Sequence, residues 1–102
     1  MKKLNLVGKK YTVKIEKTDE PDHCGEYCDE KKRISINPKF ERKTHTLGHE
    51  IGHIFWREIG LDQVAGLSKF EEPFCQLMGS LIEDNIVTLY QMHTKLSLKQ
   101  KK

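Results

Sequence analysis

At about Phe40 the apolar residues change period, and that change fixes what the chain can fold into. Before it, Tyr11, Val13 and Ile15 alternate with Thr12, Lys14 and Glu16, the two-residue repeat of a half-buried strand. After it, Leu47, Ile51, Ile54, Phe55 and Ile59 recur at the spacing of one helical face. A second helical stripe runs through Phe74, Leu77, Met78, Leu81, Ile82, Ile86 and Leu89. Residues 2–7 and 11–16 have strand character, with Gly8-Lys9-Lys10 as their turn, and a second pair runs through Glu26-Tyr27-Cys28 and Arg33–Asn37. Asn37-Pro38 ends the sheet, Gly60 ends the first helix, and residues 60–69 connect the helices. The expected fold is α+β: a small antiparallel sheet of three or four strands, then two main helices.

A chain of 102 residues makes one domain, taken as residues 1–93, with 94–102 as a basic, disordered tail. Any active site is then an open groove, because a large internal cavity would consume so small a core. The net charge of +3 is concentrated at one end: Thr94–Lys102 holds four lysines and no acid. The remainder has 14 basic and 15 acidic residues, which argues against a phosphate-binding surface. No apolar run is long enough to span a membrane, and the start of the chain lacks a signal-peptide core. Three cysteines, Cys24, Cys28 and Cys75, are too few for a disulfide framework, so a reducing, cytoplasmic setting is expected.

The first helix carries His49-Glu50-Ile51-Gly52-His53. Residues four apart share a helix face, so both imidazoles can point at one zinc ion, about 2.0–2.1 Å away. Zinc lowers the pKa of a water towards about 7, and a neighbouring carboxylate such as Glu50 can take its proton as attack begins. The pattern implies peptide-bond hydrolysis by zinc-activated water, with His49 and His53 as ligands and Glu50 as general base. A third ligand must come from elsewhere, and Glu71 and Glu72 on the next helix are the candidates. On a helical wheel Glu71 falls within about 40° of Cys75, Met78 and Ile82, whereas Glu72 falls on the polar side. Glu71 is therefore favoured, with Glu72 the alternative; Ser68-Lys69-Phe70-Glu71 also reads as a capping box.

Thr46-Leu47-Gly48-His49-Glu50-Ile51-Gly52-His53 followed by Glu71-Glu72-Pro73-Phe74-Cys75-Gln76-Leu77-Met78 resembles the small phage and bacterial zinc peptidases of the ImmA/IrrE type. The order of the chain is similar too: an N-terminal hairpin, a Gly25–Asp29 turn, the Ile34-Ser35-Ile36 strand, then the motif helix. The resemblance implies a minimal zincin-like fold and a site with a glutamate on the following helix as third zinc ligand. It also implies a phage or bacterial context with a regulatory protein as substrate.

Hydrolysis needs a donor to the developing oxyanion, and Tyr27, His45, Tyr90 and His93 are the candidates. His45 shares the face of His49 but also reads as a solvated first-turn histidine. His23-Cys24-Gly25-Glu26-Tyr27-Cys28 is a rival metal site, set aside because no second ligand pair follows. Arg33–Asn37 is a candidate edge strand for an extended substrate, and Trp56 and Cys75 read as packing residues. The competing function is a non-proteolytic zinc-binding module that captures a regulator or host protein.

Overall fold

The computed structural model describes residues 2–100, with side chains to Leu98. The order is β1 (Lys2–Leu6), β2 (Lys9–Ile15), β3 (Gly25–Cys28), β4 (Arg33–Ile36), α1 (Lys43–Glu58) and α2 (Glu71–Gln100). Short 3-10 turns at Leu61–Gln63 and Ser68–Phe70 join the helices. The fold is α+β, as the change of period implies.

The sheet is mixed rather than antiparallel, in the order β1-β2-β4-β3. β1 pairs antiparallel with β2 and β3 with β4, but β2 and β4 run parallel. The 16–24 loop carries the chain past the place beside β2, and the β3–β4 hairpin then turns back to fill it. β4 is thus an interior strand, with Ile34 and Ile36 buried, and the expected edge at Arg33–Asn37 belongs instead to β3. The β1–β2 turn is also displaced from its expected position. It lies at Val7-Gly8, both with positive φ (51° and 77°), the geometry of a two-residue hairpin turn. Glycine accepts that conformation; a β-branched residue does so only with strain.

α1 lies across one face of the sheet. Ile51 and Ile54 meet Leu6, Tyr11, Ile34 and Ile36, with Leu4, Val13, Tyr27, Leu47, Phe55 and Ile82 at the margin. Gly60, at φ 82°, follows the helix where expected, and its N–H bonds the Arg57 carbonyl.

α2 packs antiparallel to α1. Trp56 meets Phe74, Gly52 meets Cys75, Gly48 meets Gly79, and Arg42 pairs with Glu83. The glycines allow this contact: a Cβ on Gly48 would lie 2.9 Å from Gly79 Cα, and one on Gly52 3.0 Å from Cys75 Cα. α2 then continues well past the start of α1, with Asp84–Leu96 all exposed. It takes in residues 94–100, where a disordered tail was expected, because no glycine or proline interrupts the chain from Ser80 onward and its lysines suit a helix C-terminus. Residues 101–102 lie outside the described part. Among the described residues no helix is long and apolar enough to cross a membrane.

Candidate metal centre

His49 and His53, one turn apart on α1, turn their Nε2 atoms toward each other at 3.2 Å. The Glu72 carboxylate closes the triangle from α2, with Oε2 3.2 Å from His49 Nε2 and Oε1 3.0 Å from His53 Nε2. Tetrahedral bonds of about 2.0–2.1 Å to zinc place donor atoms roughly 3.3 Å apart; the two Nε2 atoms and one Glu72 oxygen, all within 4.8 Å of one another, are near enough for one ion to be shared. Among the described residues, this is the one group of three or more His, Cys, Asp or Glu side chains able to share a metal. Two imidazoles and a carboxylate suit zinc.

Glu71, the residue favoured from the helical wheel, takes a different place. Its Oε2 lies 2.6 Å from His53 Nδ1, on the far side of the ring from Glu72. The structure brings Glu72 rather than Glu71 to the two Nε2 atoms, with α2 beginning at Glu71 itself, straight after a 3-10 turn. The Ser68–Glu71 capping box does not form either: the 3-10 turn has no side-chain cap. A carboxylate on Nδ1 holds the hydrogen there and presents the Nε2 lone pair, as orienting carboxylates do for metal-binding histidines.

Glu50 is buried, with 7% of its surface exposed, yet it lines both adjoining cavities, of about 650 and 400 Å³. Burial pushes its carboxyl up to about 7, opposed by His53 and reinforced by Glu72. Burial also lowers His49, which favours the neutral ring that a metal requires. Gly25 lets β3 lie directly over this group, since a Cβ there would come within 2.6 Å of Thr46 Cγ2 and 3.3 Å of Glu50 Cγ.

The oxyanion candidates fare unequally. Tyr27 on β3 lies against His53, ring centroids 6.3 Å apart, and burial raises its phenol against the effect of Arg57. His45 lines the smaller cavity, but both ring nitrogens are engaged, Nε2 with Gln76 Oε1 at 3.0 Å and Nδ1 with Arg42 Nη2 at 3.3 Å. It ties α1 to α2. Tyr90 and His93 sit on the exposed half of α2, away from the cluster. Cys24 is exposed, Cys28 half-buried and Cys75 buried, and none joins a metal cluster among the described residues. Sequence reasoning weighed His23 only as a metal ligand, although it lines both cavities with Glu50. No spacing rule links a loop residue to a helix it reaches only through the sheet.

The chain matches no protein-family model, no curated protein and no solved structure.

Proposed function

We propose that the chain is a zinc-dependent peptidase, with His49, His53 and Glu72 holding the metal and Glu50 serving as general base. The observation that carries this reading is the close cluster of two Nε2 atoms and one carboxylate beside a buried glutamate in an open cleft. A zinc ion there supplies Lewis acidity, which acidifies water and polarises a carbonyl. Glu50 takes the proton of the attacking water and later gives it to the amide nitrogen that leaves. Burial, which raises the Glu50 carboxyl above its ordinary range, strengthens it as a base for that proton. Glu71 orients His53. β3 leaves one edge of the sheet unpaired beside the cleft, so an extended peptide can add there by main-chain hydrogen bonding. The resemblance to ImmA/IrrE peptidases supports a regulatory protein in a phage or bacterial cell as the substrate.

The test is Glu50→Gln. The variant should keep its zinc and lose peptide cleavage; cleavage at the wild-type rate would remove Glu50 from the mechanism. A variant with no cleavage but full biological effect would favour the non-proteolytic capture module.

A further inference from the structure

The loop between β2 and β3 is held by more buried polar bonding than a simple connection requires. Thr18 and Asn37 are both buried. The Thr18 hydroxyl lies 2.6 Å from the Glu20 carbonyl and 3.0 Å from the His23 carbonyl. Asn37 Nδ2 donates to Thr18 Oγ1 at 3.1 Å and to the His23 carbonyl at 3.3 Å. The His23 N–H bonds the Glu20 carbonyl, and the Asn37 N–H bonds the Cys24 carbonyl. The backbone on both sides of His23 is thus pinned from within the fold.

The ring is oriented as well. His23 Nδ1 lies 3.1 Å from Glu26 Oε2, and that carboxylate accepts the Asp19 N–H at 2.7 Å and the Glu20 N–H at 3.3 Å. An exposed imidazole set by a fixed carboxylate, on a backbone fixed by buried polar groups, is a preorganised side chain. Its location gives that order a purpose. The two cavities share four lining residues: His23, Gly25, Glu50 and His53.

Building on the peptidase reading, we infer that His23 is the electrophilic partner of Glu50, donating a hydrogen bond to the scissile carbonyl oxygen as that oxygen gains charge. The water oxygen bonds to the carbonyl carbon, the π pair moves onto the carbonyl oxygen, and the water proton passes to Glu50. Collapse returns the pair, the C–N bond breaks, and the Glu50 proton goes to the departing amine. His23 is unchanged at the end. Nδ1 faces the Glu26 carboxylate, which leaves Nε2 for the substrate; Nε2 donates there only in the imidazolium, whose Nδ1–H bonds Glu26, since a neutral ring with its hydrogen on Nδ1 would offer a lone pair instead.

The experiment compares full-length wild type, His23→Ala and His23→Gln, all zinc-loaded, on a fluorogenic peptide library. Removing one oxyanion donor should lower kcat about 100-fold, with KM and zinc content little changed. Affinity for a phosphonamidate peptide, which mimics the tetrahedral adduct, should fall by a similar factor. His23→Gln, which keeps a donor, should recover part of kcat even if His23→Ala disturbs the loop. Wild-type turnover with kcat unchanged in both variants would overturn the role of His23 and leave the peptidase standing. A loss confined to KM would likewise overturn it. No turnover and no phosphonamidate binding by the wild type would overturn both.

Discussion

Gly48→Ala should loosen the α1–α2 contact and weaken the metal site through it. On an open helix this substitution stabilises by about 1 kcal/mol, because alanine loses less backbone freedom than glycine. Here the new Cβ would sit 2.9 Å from Gly79 Cα, 3.1 Å from the Met78 carbonyl oxygen and 3.2 Å from Ile82 Cδ1. Comfortable carbon contacts are about 3.5–4.0 Å, so the helices must separate by roughly 0.6–1 Å. Two of the three neighbours are backbone, which no rotamer change can move. Overpacking of this kind costs about 1–3 kcal/mol, which outweighs the propensity gain and leaves a net loss of about 1 kcal/mol. In a domain of this size that lowers Tm by about 4–8 °C. Because Glu72 rides on α2, zinc affinity should fall in the same variant. Gly79→Ala meets the His45 carbonyl oxygen at 2.7 Å, so the double variant should lose less than the sum of the two. Thermal melts followed by circular dichroism, with zinc titrations alongside, read both effects. A Gly48→Ala protein that melts higher and binds zinc as before would refute the close-packing argument.

Three further outcomes are expected. Glu71→Ala, which removes the partner of His53 Nδ1, should weaken zinc binding about 10–100-fold, and Glu72→Ala should weaken it more; a competition titration that reversed the order would return Glu71 to the coordination sphere. Val7→Asn should stabilise by about 1 kcal/mol, since asparagine tolerates the left-handed turn and Val7 is largely exposed; a lower urea midpoint would contradict the strain assigned to that turn. Cys24 should react first with a thiol reagent and Cys75 only on unfolding, because Cys75 is buried and its thiol is pushed up to about 12 by burial and then by Glu72, Glu71 and Glu50; peptide mapping that found Cys75 modified in the native protein would contradict its position in the core.

What the sequence made legible was local. The change of period near Phe40 separates sheet from helices, and the four-residue spacing of His49 and His53 puts two imidazoles on one face. What it concealed depends on how elements meet. Alternation in Arg33–Ile36 tells which side chains share a face, but not that β4 lies between β2 and β3. Glu71 and Glu72 differ by one residue, and their assignment turns on the 3-10 turn at Ser68–Phe70, which leaves no periodic trace in three residues. The lysines after Thr94 read as a tail from charge alone, while helix propensity, uninterrupted by glycine or proline, carries α2 to Gln100. The place of His23 in the cleft leaves no local trace in the sequence, because the bonds that fix its backbone come partly from Asn37, 14 residues further along the chain.

The central claim is that one zinc ion sits between α1 and α2. Native mass spectrometry of wild type and His53→Ala, each incubated with zinc and desalted, tests it most directly. The account predicts one zinc per wild-type chain and none in the variant, with both chains folded by circular dichroism. Zinc retained by His53→Ala, or absent from the wild type, would contradict it.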